Sequence, residues 1–258
     1  MKIVSFFLLI IGIIFSGCKS DKLTMATAAN FAPFEYVSGG EFQGIDIDVA
    51  KIIASELNKE LVIADMEFDS VVQSVASKNV DIGISGLTIN ETRKQVIDFS
   101  DTYFNAAQML IIKENDKRFK NLKTKEDVIK AINKINGLKI GVQTGTTGEF
   151  YSKGDKDWGF DGFKNAKTIS FTNGAMAITA MQNNQVDVMI IDEMPARVLT
   201  KTNNGVEIID IALTDEKYAI AVSKGNEDLL GKINEILKAI KQDGRMQEII
   251  SKYYEQSK

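Results

Sequence analysis

From position 23 onward, short apolar runs of strand length alternate with amphipathic stretches of helix length. That alternation predicts an α/β architecture with largely parallel sheets. Residues 23–27 read as a first strand. In 46–57, Val49, Ile52, Ile53 and Leu57 share one face at helical spacing, with Asp46 or Asp48 placed to cap the start. Strand 61–66 follows, then a short helix 69–77 with Val72 and Val75 inward, strand 80–85, a short helix 90–95 and an apolar strand 108–113. A second set of the same kind then begins. Thr124 and Asp127 signal a helix start that runs to about 135. Strand 138–142 enters a Gly/Thr-rich turn at 143–148 and a helix through 151. Strand 168–171, helix 173–183, strand 186–191, a helix after Met194-Pro195, and strands 206–211 and 218–222 complete it. Helices 227–242 and 245–253 close the chain, separated by Asp243-Gly244. Two similar sets predict two α/β lobes with a cleft between them, a preferred place for a small ligand.

The first 18 residues do not fit this pattern. Lys2 precedes an apolar run from 3 to 15, then Ser16, Gly17 and Cys18. These are the three parts of a secretory signal peptide. The run is shorter than the roughly 20 apolar residues of a membrane-spanning helix. The Ser-Gly-Cys end resembles the lipobox of bacterial lipoproteins, with Phe15 where Leu is usual. That resemblance implies cleavage after residue 17 and lipidation of Cys18; the other reading is an ordinary cleaved signal with an incidental cysteine. Residues 18–22 then form a polar tether.

Composition narrows the chemistry more than the fold. The chain has 258 residues, 44% hydrophobic and 26% charged, enough for a core that needs no metal or disulfide staple. It has no histidine and one cysteine. This excludes Ser–His–Asp and Cys–His nucleophilic catalysis, and metal sites built on His or Cys. The net charge of −4 with no basic block argues against a nucleic-acid partner.

Polar groups cluster at the ends of three apolar strands, where open α/β sheets hold ligands. In Asp81-Ile-Gly-Ile-Ser-Gly-Leu-Thr-Ile-Asn-Glu-Thr-Arg93, Ser85 and Thr88 offer hydroxyls and Gly86 permits close approach of a ligand to the backbone. Arg93 supplies a fork suited either to a bound carboxylate or to a surface ion pair. In Val142-Gln-Thr-Gly-Thr-Thr-Gly-Glu149, a strand passes into a helix N-terminus that attracts anions, with Thr146 and Thr147 alongside; a capped turn without ligand is the alternative. In Val186-Asp-Val-Met-Ile-Ile-Asp192, a carboxylate emerges at a strand end, where it either meets an ammonium group or caps the next helix. Phe31, Phe34, Tyr36 and Phe68 lie at strand-to-helix connections, where aromatic rings belong to the core or wall a pocket.

These segments, with Gly44-Ile-Asp-Ile-Asp-Val-Ala50 and Ile97-Asp-Phe-Ser-Asp-Thr-Tyr103, resemble family 3 of the bacterial extracellular solute-binding proteins over about 23–254. The resemblance implies a type II periplasmic-binding-protein-like fold with two hinge crossings near 103–107 and 214–218. Lobe 1 would comprise 23–104 plus 217–258, and lobe 2 105–216. It implies a monomer, anchored to a membrane through Cys18 in the periplasm or at the cell surface. That monomer would capture a free L-amino acid and deliver it to the permease subunits of an ABC importer, without cofactor or metal. By position, Arg93 would clamp the substrate α-carboxylate, with Ser85, Gly86, Thr88, Thr146 and Thr147 near it. Asp192 would hold the α-ammonium, Phe31 and Phe68 would sandwich the ligand, and Gln143 would read its side chain. Members preferring cationic side chains often carry Asp where this chain has Ala28; Glu35 could replace it, while Gln143 and Asn30 suit a neutral polar side chain. The alternatives are an amino-acid sensor, or an enzyme like the cyclohexadienyl dehydratases with Glu35 as its acid.

Overall fold

The computed structural model describes residues 21–257. The expected signal peptide and Cys18 lie outside them. The chain runs β1 (Lys22–Thr27), a ribbon of β2 (Asn30–Phe31), β3 (Glu35–Ser38) and β4 (Glu41–Gln43), then α1 (Ile45–Glu56), β5 (Glu60–Asp65), α2 (Phe68–Ala76), β6 (Ile82–Gly83), α3 (Glu91–Lys94), β7 (Ile97–Phe99), β8 (Phe104–Ala106) and β9 (Gln108–Lys113). It continues through α4 (Lys125–Asn133), β10 (Leu138–Gln143), α5 (Thr147–Lys153), β11 (Ala166–Phe171), α6 (Gly174–Gln182), β12 (Val188–Asp192), α7 (Glu193–Thr202), β13 (Val206–Ile209), β14 (Glu216–Tyr218), β15 (Ala221–Ser223), α8 (Glu227–Gln242) and α9 (Arg245–Ser257).

Two five-stranded sheets form, in the orders β5-β1-β6-β15-β7 and β11-β10-β12-β9-β13. Each is mixed rather than largely parallel: three parallel strands at one side, then one reversed strand, β15 or β9, and an edge strand, β7 or β13, that pairs antiparallel with it. Both faces of each sheet are covered, so burial along a strand sorts by alternation. On β1, Met25 joins the core under α1 and α8, while Ala26 joins the cluster under α2 with Val71, Val75 and Leu87. On β9, Leu110 and Ile112 pack with Val128, Ile132 and Tyr151, while Met109 and Ile111 face Ile178 and Met181. The chain passes between the sheets at β8 and β14, which pair antiparallel with Glu216 opposite Ala106 and Tyr218 opposite Phe104.

Several local expectations change. The capping box at Thr124 forms with Asp127, but α1 starts at Gly44 with no side-chain cap. Asp46 instead turns inward and accepts from Gly86 N at 2.7 Å and Tyr103 Oη at 2.8 Å. Val71, not Val72, is the fully buried partner of Val75 in α2. The run 218–222 is not one strand. Tyr218 ends β14 in the crossing and Ala221 begins β15 in the first sheet, because a single straight strand could not serve both. α7 begins at Glu193, before Met194-Pro195, since proline is compatible with the first turn of a helix.

Candidate functional site

The strand ends named above converge where the two lobes close on one another. Arg93, buried on the short helix α3, is held by Asn90, which caps that helix from Oδ1 to Arg93 N at 2.7 Å. Its guanidinium lies 5.4 Å from the centre of the Phe68 ring. Nη1 donates to Thr88 O at 2.7 Å and Nη2 to Gly145 O at 3.0 Å. The second bond spans the lobes, since Gly145 sits in the turn between β10 and α5. Glu149 holds that turn from behind, accepting from Gly145 N at 2.7 Å. A further interlobe bond joins Glu91 N to Asp157 Oδ2 at 2.9 Å.

Asp192 ends β12 in the other lobe and is buried. It stands at the N-cap position of α7, yet makes no side-chain cap bond. The Tyr218 hydroxyl donates to its Oδ1 instead. Burial first, and the Glu216 carboxylate second, push Asp192 up to about 7. The same burial lowers Arg93 to about 10, opposed by Glu216 and Asp192. Arg93 therefore stays charged at neutral pH, and it shares one low-dielectric enclosure with two carboxylates.

The other expected residues divide into two groups. Phe31 and Phe68 are buried at the site, with Phe31 against Gly86. Thr147 Oγ1 and Gln143 Oε1 are buried and have no hydrogen-bond partner among the described residues, the condition of groups able to serve a ligand. Ser85 and Thr88 are already engaged: Ser85 Oγ donates to Glu35 Oε1 at 2.7 Å, and Thr88 Oγ1 to Glu216 Oε2 at 2.6 Å. Thr146 is the α5 cap, donating to Gln143 O at 2.7 Å and accepting from Glu149 N at 3.4 Å. Asn30 is exposed. Phe34 packs edge-on against Phe104 and Tyr218, and Tyr36 against Tyr253, so both serve the core.

Sequence reasoning missed the inward face of the crossing strand. Thr214, Glu216 and Tyr218 are buried at alternate positions while Asp215 and Lys217 are exposed. The period-two pattern Thr-x-Glu-x-Tyr was the available signal. It also missed Gln108, which pairs with Asp192 across β9 and β12 and is fully buried. A cavity of about 500 Å³ opens at the opposite end of β1, beside Leu57, Leu229 and Ile236, away from these groups. Among the described residues no cluster of acidic or sulfur side chains could hold a metal ion, and no helix is long and apolar enough to cross a membrane.

Gly145 tests whether closure depends on this contact. Its φ is +76°, and an added Cβ would lie 2.9 Å from Asp69 Cβ in the other lobe. Gly145→Ala is expected to cost the closed form about 1–3 kcal/mol through overpacking against Asp69. Calorimetry should then show roughly tenfold weaker ligand binding, and small-angle scattering a more open particle.

A model of the bacterial extracellular solute-binding proteins, family 3, matches residues 23–156 and 163–256. The chain is 30% identical over 245 residues to the arginine-binding extracellular protein ArtP of Bacillus subtilis, covering 93% of this chain and 89% of that one. It is 31% identical to a probable histidine-binding protein of Neisseria gonorrhoeae, over 89% and 82% of the two chains. In structure it is similar to AbpA of Streptococcus pneumoniae, an amino acid ABC transporter substrate-binding protein crystallised with L-arginine. That likeness has a TM-score of 0.79 and 31% identity, over 92% of this chain and 96% of that one.

Proposed function

Since this chain belongs to the bacterial extracellular solute-binding proteins, family 3, we propose that it captures a free L-amino acid with a polar or basic side chain between its lobes. It then presents the amino acid to the permease of an ABC importer, and it binds without chemistry. The observation that carries this reading is the meeting, in one buried enclosure, of the Arg93 guanidinium from one lobe and the Asp192 carboxylate from the other. A zwitterion satisfies both at once. Arg93 takes the α-carboxylate, Asp192 the α-ammonium, Thr147 Oγ1 adds a donor from the α5 end, and Phe31 and Phe68 enclose the side chain. Only the closed form makes all these contacts, so ligand shifts the population toward it. Micromolar affinity needs about −8.2 kcal/mol, within reach of several charge-assisted bonds at roughly 1.5–3 kcal/mol each. Delivery follows from a mature chain of residues 18–258 acting as a monomer on a lipid anchor at Cys18, with 23–104 plus 217–258 and 105–216 as the moving bodies.

Within that class, the balance of charge favours a cationic side chain. Glu35, Asp46, Asp192 and Glu216 are all buried; Arg93 offsets Asp192 and Glu216, while Glu35 meets the carboxylates of Asp46 and Asp192. Ser85 Oγ accepts from Ala28 N at 3.0 Å while donating to Glu35, so Glu35 stands one hydroxyl away from the position where a cation-binding carboxylate is often placed. Burial first, and Asp46 next, raise Glu35 well above the usual carboxylate range; a bound cation would drive that proton off. A thermal-shift screen of the common amino acids tests the whole reading, because a ligand selective for the folded form raises the melting temperature; no response to any of them would overturn it. Glu35→Gln is expected to weaken arginine or lysine binding by roughly 10- to 100-fold, about 1.5–3 kcal/mol, and to leave glutamine binding nearly unchanged. Equal loss for both would remove Glu35 from side-chain recognition.

A further inference from the structure

We propose that Tyr218, mounted on the crossing strand, is a positioning residue for amine recognition: its hydroxyl holds the Asp192 carboxylate in place for the ligand's ammonium group and favours its ionised form. This inference rests on the reading of Asp192 as the ammonium clamp and adds a residue to it.

The geometry is that of a side chain shared between lobes. The Tyr218 ring is fully buried and fixed from the first lobe. It lies 5.1 Å from Phe34, centre to centre and edge-on, and a Cβ on Gly86 would come within 3.2 Å of it. Phe104 and Tyr103 of the other crossing pack at 5.9 and 6.3 Å. With the ring so held, the hydroxyl has one place to go, and it donates to Asp192 Oδ1 in the second lobe. The backbone of the same residue is anchored on both sides: Tyr103 N donates to Tyr218 O at 2.9 Å, and Thr88 forms a bridge with Tyr218. The clamp is thus aimed by a residue whose position the crossing itself sets.

The surroundings explain why such a donor is needed. From β14, Glu216 faces Asp192 as a second carboxylate and raises it; from β3, Glu35 interacts with Asp192 unfavourably; from α3, Arg93 is the opposing cation. Gln108 on β9 draws Asp192 downward, as Tyr218 does. Glu216 cannot turn away, because Thr214 Oγ1 donates to its Oε1 at 2.5 Å and Thr88 Oγ1 to its Oε2 at 2.6 Å. Thr214 Oγ1 in turn accepts from Gln108 N at 2.8 Å. A carboxylate in this buried, acidic enclosure takes up a proton more readily, and hydrogen bonds to its ionised form oppose that. Protonated Asp192 would offer the ammonium no charge.

The test is Tyr218→Phe, which keeps the ring. Carboxyl-detected NMR titration of the ligand-free full chain reads the Asp192 midpoint directly, and calorimetry from about pH 5 to pH 8 reads the affinity midpoint. In the variant both midpoints are expected to move upward, with affinity at neutral pH falling roughly tenfold. Site-specific 3-fluorotyrosine at 218, a stronger donor of nearly the same volume, is expected to move both midpoints downward, and it supplies the answer should the Phe variant fold poorly. A purely structural tyrosine would change affinity without displacing either midpoint, and that result overturns the proposal. Wild-type protein that binds no amino acid overturns the ammonium-clamp reading instead, while the ligand-free titration still decides whether Tyr218 governs Asp192.

Discussion

Arg93→Ala is expected to weaken amino-acid binding by roughly hundreds- to thousands-fold. Truncating one partner of a buried, hydrogen-bonded charge pair costs about 2–5 kcal/mol, a loss of roughly 30-fold to several-thousand-fold in affinity. Three features place this variant toward the upper end. The guanidinium is 6% exposed, so water cannot replace it at the ligand carboxylate. It is the cation that opposes Asp192 and Glu216, so its removal also raises Asp192 and weakens the ammonium clamp. It carries an interlobe bond to Gly145 O, so the closed form loses a contact even before ligand is counted. Isothermal calorimetry with arginine, histidine and glutamine checks the result. Arg93→Lys is expected to recover only part of the loss, because an ammonium cannot reproduce the bidentate fork. Unchanged affinity in Arg93→Ala would remove the central premise of the binding model.

The second large effect is on Asp192, and it depends on pH. Asp192→Asn removes the charge that meets the ligand's ammonium and is expected to weaken binding by about 2–5 kcal/mol above pH 7. For the wild type, affinity should rise with pH through about 7, because the clamp works only when Asp192 is ionised; in the variant this dependence should vanish. Stability of the ligand-free protein moves the other way. The folded Asp192 binds a proton more tightly than in the unfolded chain, so between its ordinary value and about 7 the folded state holds more protons. Wild-type stability therefore falls as pH rises across that window. Asp192→Asn escapes that penalty. Its ligand-free melting temperature is expected to exceed the wild-type value near pH 8, and the two should converge in acid. The combination of weaker binding and greater ligand-free stability separates a binding carboxylate from a structural one. A variant that binds poorly and also melts lower at pH 8 would mark Asp192 as a structural group.

Much of the fold was legible because its elements are local. The helix from Glu227 to Gln242 and the strand from Gln108 to Lys113 stand where periodicity put them. Arg93 and Asp192 were singled out by their chemistry, Asp192 as a carboxylate at the end of an apolar strand and Arg93 on the short helix beyond another, and both are buried. Ser85 and Thr88 show the limit. Each looked available for a ligand, and each spends its hydroxyl proton on a carboxylate far along the chain, Glu35 and Glu216 respectively. Asp46, expected as a helix cap, is drawn inward by Gly86 and Tyr103 in the same way. No pattern near these residues announces such partners.

By itself, then, the sequence determined the alternation of strands and helices, the family, and the strand-end groups that point toward an amino acid, because spacing and side-chain chemistry are properties of neighbours in the chain. Only the tertiary structure decided which polar groups remain unsatisfied and which are spent. It also decided that the crossing strand brings Glu216 and Tyr218 against Asp192, and that burial moves this carboxylate to the edge of neutrality. Those outcomes depend on distances between residues remote in sequence and on the exclusion of water, and both are set only by the folded chain.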